Sequence, residues 1–234
     1  WRSVSQHEWC ELTPANATQM FTKMASAYVI AVDIETKKDP LVITQINYTG
    51  VFSDGTTYGL VLNLNDLVDL EIMRKFNWHL KAPKVLQNGK YDIAYLARFN
   101  APLYNYIFDT ASLFHCWYSE LPKDLATLAA FFIRDSMYWK DLARSGDLTT
   151  QMLYNAKDGW NTAEILMAMA NEMPAWVTQN YLMEFPLVYP THMCEMRGIK
   201  RDSLALATAI TGTTEAIAKL SSELDTCIGA KGFN

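Results

Sequence analysis

Several signatures are missing from this sequence, and each absence narrows what the chain can be. Cys10, Cys116, Cys194 and Cys227 are widely scattered with no C-x-x-C pair. Zinc-ligand spacing is therefore absent, and the four read as reduced thiols of a cytoplasmic-type protein. No run of 18 apolar residues occurs, and no signal-peptide pattern opens the chain, so neither a membrane span nor secretion is expected. His7, His79, His115 and His192 form no cluster, which leaves no histidine-based metal or general-base motif. The formal net charge is −5. Blanket electrostatic attraction to nucleic acid is excluded, and any such binding needs a local basic patch or bound metal. There is no internal repeat or low-complexity segment.

What is present suits a globular protein with a substantial core: 234 residues, 50% hydrophobic and 19% charged. That amounts to one large domain, or one domain plus a piece. The chain opens on Trp1 and closes on Gly-Phe-Asn, and is expected to be cut from something longer. Three strand-like segments stand at 27–33, 41–49 and 57–64, the last after the turn signal "SDGT". Short turns between them suggest an antiparallel meander. A helical stretch follows at about 67–81, then a short strand, "KVLQ" at 84–87, leading into helical spacing from "NGKYD" onward. From about 109 to 182 the pattern is almost wholly helical. Strands first and helices later, around a strand–helix centre, indicate α/β architecture with a mixed sheet. Near Glu184 the prolines and the turn-like "RGIKRD" place a boundary at about 180–190. This gives an extension at 1–26, a main domain at 27–182 and a helical piece at 183–234.

Three acidic spots stand out. "AYVIAVDIETKK" runs an uncharged strand into Asp33 and Glu35. Residues i and i+2 of a strand share a face, so both carboxylates point one way with Ile34 behind them. Two like charges that close repel unless a cation or proton lies between them. Asp92 falls in "NGKYD" at a helix start after a strand. Tyr154 and Asp158, in "YNAKD", are four apart and share a helical face. Singly, each has an ordinary reading: a solvated strand end, a charge at the positive end of a helix dipole, a core aromatic beside a surface charge. Together they differ, because strand ends and helix starts gather on one edge of an α/β sheet. Four carboxylates meeting there call for divalent metal, whose hard cations take oxygen ligands. Two metals about 3.5–4 Å apart can activate a water and stabilise the leaving oxygen of a phosphodiester.

"DIET" at 33–36, "NGKYD" at 88–92 and "YNAKD" at 154–158 resemble, in order, the three exonuclease motifs of the DEDD superfamily. Tyr154, four before Asp158, marks the tyrosine subgroup; the histidine subgroup would carry His where Leu153 stands. The chain is most similar within that superfamily to the proofreading domain of family-A DNA polymerases, bacteriophage-type ones especially. "FDTASLFHCWYSELPKDLATLAAFF" and "YWKD" look like the helical segment between motifs two and three. "MEFPLVYPTHMCEMRGIKRDSLAL" and "LSSELDTCIGAKGFN" resemble the start of the polymerase region.

That resemblance implies a ribonuclease H-like mixed sheet, antiparallel meander plus parallel strands, flanked by helices and followed by a helical extension. It implies a 3′-5′ exonuclease using two divalent ions, Mg2+ or Mn2+. Asp33, Glu35 and Asp158 would hold the metal of the attacking water; Asp33 and Asp92 would serve the second. Tyr154 would orient the nucleophile, and Thr36, Asn88 and Tyr91 would contact the terminal nucleotide. Its partners would be a single-stranded DNA 3′ end and a polymerase domain in the same chain, with no membrane and a monomeric state. One departure is visible: "KKDP" at 37–40 stands where the family often has an apolar wedge for the terminal base. Lys37, Lys38, Lys84 and Lys90 lie near the motifs and could offset the acidity locally. Two alternatives stand beside this: a stand-alone ribonuclease D-like RNA exonuclease, which shares the three motifs, and a non-catalytic nucleic-acid-binding module, a kind that usually lacks one or more of the carboxylates present here.

Overall fold

The uncharged run at 29–32 and the β-branched alternation of 42–51 determine where the sheet lies. The computed structural model describes residues 8–37, 42–134, 136, 138–144, 146–229 and 231. Among the described residues six strands form one sheet: β1 (Glu8–Glu11), β2 (Val29–Lys37), β3 (Val42–Val51), β4 (Thr57–Asn63), β5 (Lys84–Leu86) and β6 (Tyr106–Asp109). Their order is β1-β4-β3-β2-β5-β6. β2, β3 and β4 make the expected antiparallel meander, while β5 and β6 add in parallel beside β2. Two strands escaped the sequence pattern. β1 and β6 are four residues each, "EWCE" and "YIFD", too short for alternation to register. β1 docks parallel to β4 and closes that edge.

The period-2 pattern of β2 sorts the helices into two layers. Ile30, Val32 and Ile34 pack with α1 (Ala17–Met24), α2 (Leu67–His79) and α3 (Lys90–Arg98), through Met24, Met73, Phe76 and Leu96. Val29 and Ala31 pack on the other face with α4 (Thr110–Trp117), α5 (Leu125–Phe132) and α6 (Leu148–Glu172), through Phe114, Leu128, Ala163 and Met169. α7 (Ala175–Glu184) joins that second layer through Tyr181. Asp66, Asp109, Asp124 and Asp147 cap α2, α4, α5 and α6 by accepting backbone N–H bonds, each worth about 1 kcal/mol. The chain divides into two compact units, 1–192 and 193–234. α8 (Val188–Arg197) runs across the dividing point, and the second unit is built on α9 (Ser203–Ile228), capped by Asp202 and ended by Gly229 at φ 71°. Among the described residues no helix is long and apolar enough to cross a membrane, and all four cysteines are free.

One glycine allows the long α6 to lie against the sheet. A Cβ on Gly159 would meet Asn47 Oδ1 at 1.8 Å and Thr49 Oγ1 at 2.8 Å, so only hydrogen fits between α6 and β3. Gly159→Ala is expected to push the helix off the sheet at a cost of about 1–3 kcal/mol. A lowered urea midpoint, measured by far-ultraviolet circular dichroism, checks this; an unchanged midpoint contradicts it.

Candidate active site

Asp33 and Glu35 sit where β2 runs past the end of its parallel neighbour. Their cross-strand partners are Asn47 and Gln45 on β3, so a polar row continues from the carboxylates beneath α6. Ile34 points the opposite way into the other layer. A register shift follows between Glu35 and Thr36. Such bulges re-aim the strand beyond them. The Thr36 hydroxyl lies 2.7 Å from that of Tyr91, so the strand end and the start of α3 are tied together. Tyr91 is 47% exposed and its ring packs on Tyr95.

The second motif is a tight turn from β5 into α3. Asn88 takes φ 55°, the left-handed region that Asn tolerates better than most residues. Gly89 follows in a space where a Cβ would strike Leu86 Cβ at 2.5 Å. Its N–H donates to Asp109 Oδ2 at 2.7 Å, and Tyr106 OH donates to the same oxygen. This buried Asp109 therefore braces the turn that delivers Asp92. Asp92 Oδ1 accepts the Ile34 N–H at 3.2 Å, which links the second motif to the first. Asn88 itself is exposed.

α6 brings the third motif across the sheet. Asp158 is buried and Tyr154 lies one turn earlier. One oxygen each from Asp33, Glu35 and Asp158 lie within 4.8 Å of one another. Asp92 adjoins this trio closely enough that its charge raises the Asp33 pKa. Two further side chains reach Asp158. Trp139 Nε1 donates to Oδ1 at 2.5 Å. Lys140, at the start of the 3-10 turn Lys140–Arg144, donates to both carboxylate oxygens and to Tyr154 OH at 2.9–3.0 Å.

Crowding and burial dominate the electrostatics. Desolvation, then Asp158, Asp92 and Glu35, hold the Asp33 pKa well above the carboxylate range. Desolvation and Asp158 push Glu35 up to about 7, against the pull of Lys140. Desolvation pushes Asp92 up to about 8, although the backbone N–H bonds work the other way. Burial and the same carboxylates raise Tyr154 far enough that its phenol stays protonated. Two unit charges 4 Å apart repel by about 4 kcal/mol at an effective dielectric near 20, so a full set of ionised carboxylates needs a cation. The donors are all oxygen, three from one cluster, a set that fits a hard divalent ion.

One lysine differs from expectation. Lys84 is fully buried on β5 and its Nζ binds the carbonyls of Leu80, Ala82 and Tyr104; desolvation lowers its pKa to about 8. It braces loops and cannot offset the carboxylates. Lys37 ends β2, exposed, and the rest of "KKDP", Lys38 to Pro40, lies outside the described residues, as does His7. Lys140 and Trp139 carried a signal in "YWKD", but no spacing rule links that segment to Asp158. Asp109 sits in "FDTAS", where it reads as an ordinary helix cap.

The sequence profile of the 3′-5′ exonuclease family matches residues 12–174. The chain belongs to that family. No curated protein sequence matches it. Among solved structures, the fold is similar to the POL domain of Pol1 from M. smegmatis in complex with DNA primer-template and dNTP, with TM-score 0.63 and 16% identity. That match covers 96% of this chain but 38% of the other, so the exonuclease chain spans well under half of that relative's length. A nuclease in its apo form matches with TM-score 0.60 and 14% identity, over 86% of this chain and 98% of that one. RNase D from Trypanosoma brucei matches with TM-score 0.58 and 15% identity, over 79% and 72%. At these identities the structural likeness establishes the fold: a mixed six-stranded α/β exonuclease sheet flanked by helices.

The raised carboxyl groups give the metal-free exonuclease a definite pH dependence. Glu35 at about 7 and Asp92 at about 8 hold protons in the folded state that the unfolded chain has already released. Stability therefore falls as pH rises from about 5 to about 8. Thermal melts in EDTA across that range are expected to show the midpoint decreasing, and Asp92→Asn to flatten the slope. A midpoint that rises with pH overturns this reading of the site.

Proposed function

We propose that this exonuclease domain removes nucleotides one at a time from a DNA 3′ end with two divalent ions, as the proofreading part of a family-A DNA polymerase. The observation that carries the proposal is the convergence of Asp33, Glu35 and Asp158 within 4.8 Å, with Tyr154 one helical turn from Asp158 and Asp92 bonded to the Ile34 N–H. The match to a Pol1 chain over 96% of this one favours the polymerase setting. Domain limits at 27–182 for the exonuclease and from 183 for the polymerase region belong to the same proposal.

In this reading Asp33, Glu35 and Asp158 would hold one divalent ion, and Asp33 and Asp92 would serve the second. Bound ions supply an activated water and charge stabilisation of the leaving 3′ oxygen. Tyr154 keeps its proton and offers it as a hydrogen bond to the attacking water, which orients that water without deprotonating it. Thr36, Tyr91 and Asn88 would receive the terminal nucleotide, Thr36 and Tyr91 being joined through their hydroxyls. The exposed Tyr91 ring offers a face on which a base can stack, a contact worth about 1–3 kcal/mol per base. A recessed site of this kind takes the strand frayed and single, so the enzyme acts on a melted primer end.

A second reading, RNA trimming, draws on the similar fold of the T. brucei RNase D. The purified domain with matched DNA and RNA oligonucleotides separates the two. Magnesium-dependent shortening of single-stranded DNA from its 3′ end is expected, with RNA degraded more slowly; the reverse order favours the ribonuclease. Asp33→Ala and Asp158→Ala are expected to lower the rate by at least a hundredfold with the fold intact, and Tyr154→Phe by less. Asp33→Ala that digests DNA as fast as the parent sinks the assignment. Single-strand binding without any cleavage by the parent would instead support a non-catalytic module.

A further inference from the structure

The cation bonded to Asp158 comes from outside the three motifs. Lys140 Nζ lies 3.0 and 2.9 Å from the two Asp158 oxygens and 3.0 Å from Tyr154 OH. The three hydrogens of one ammonium are thus spent on the two residues of the third motif. The Lys140 side chain is 28% exposed and that of Asp158 only 6%, so a partly exposed ammonium reaches a buried carboxylate. Trp139 Nε1 takes the other lone pair of Asp158 Oδ1. A carboxylate oxygen offers two lone pairs. Oδ1 is therefore fully engaged by Trp139 and Lys140, and Oδ2 is bonded to Lys140 as well. A cation arriving among Asp33, Glu35 and Asp158 meets a carboxylate already occupied by another cation.

We propose that Lys140 is the resident counter-cation of this site. It balances the carboxylates when no divalent ion is bound, and it must give up Asp158 for such an ion to bind there. This inference rests on the exonuclease reading and extends it to the loading of the site. A long, flexible, part-exposed side chain suits exchange. Trp139, rigid and buried, suits permanent support of Asp158. The rings of Trp139 and Tyr154 flank the ammonium at 5.2 and 5.0 Å, so a lysine that leaves Asp158 still has the Tyr154 hydroxyl and two aromatic faces to hold it nearby. A lysine that only braced the fold would stabilise the protein equally with and without metal. An exchanging lysine stabilises it mainly without.

Lys140→Met and Lys140→Gln remove the charge, and Lys140→Arg keeps it. Each is compared with the parent by thermal melting in EDTA and in saturating Mg2+, and by calorimetric Mg2+ titration without DNA. The uncharged variants are expected to melt several degrees lower in EDTA, to recover most of that loss in Mg2+, and to bind Mg2+ severalfold more tightly. Lys140→Arg is expected to melt in EDTA near the parent. Equal Mg2+ affinity and equal EDTA melting in parent and uncharged variants overturn the proposal. Weaker Mg2+ binding in those variants also overturns it, because it makes Lys140 an aid to the ion and not its competitor. Should Lys140→Met fail to fold, Lys140→Gln carries the comparison. A parent that binds Mg2+ and cleaves DNA alongside silent variants sinks the lysine role alone. A parent that neither binds nor cleaves removes the exonuclease reading and this proposal together.

Discussion

The structure is organised around a repulsion. Asp33, Glu35 and Asp158 are carried to within 4.8 Å of one another, with Asp92 beside them, at a depth where water screens them poorly. Such an arrangement is unfavourable unless protons or cations neutralise it. The fold maintains it by spending rigid elements on each carboxylate: a central strand for Asp33 and Glu35, a braced turn for Asp92, and the longest helix of the first unit for Asp158. Packing energy from two hydrophobic layers offsets the electrostatic strain, and the strain in turn creates affinity for positive charge.

The supports around the carboxylates have a common logic. Asp109 takes the Gly89 N–H and the Tyr106 hydroxyl, so the turn before Asp92 cannot relax outward. Asp92 takes the Ile34 N–H, so the first two motifs move as one. Gly159 removes the one Cβ that would lift α6 from β3, so Asp158 can descend to the level of Asp33. Two of these supports, Asp109 and Gly159, come from residues outside the acidic cluster, and the third is a bond made by Asp92 itself. Together they turn three separate sequence motifs into one site.

Much of this was legible from residue order. The alternation of β2 gave the shared face of Asp33 and Glu35, and the four-residue spacing gave the shared face of Tyr154 and Asp158. The meander and the strand–helix turn at "NGKYD" followed from runs of β-branched residues and turn signals. The short edge strands β1 and β6 did not, because four residues carry too few alternations and their pairing is decided by neighbours far along the chain. The lysines show the same limit. Lys84 stands four residues before Asn88 in sequence and yet points into a cage of three carbonyls. Lys140 stands 18 residues before Asp158 and binds it through both oxygens.

The sequence by itself determined which residues carry charge and on which face of its own strand or helix each one lies, since those periodicities are properties of local backbone geometry. It therefore contained the carboxylates, the tyrosine and the mixed α/β order. Only the tertiary structure decided their separations, which of them are desolvated, and which cation reaches them. Those depend on the packing of α6 across β2, β3, β4 and β5 and on the turn that aims Lys140, contacts between segments whose distance along the chain carries no information about their distance in space.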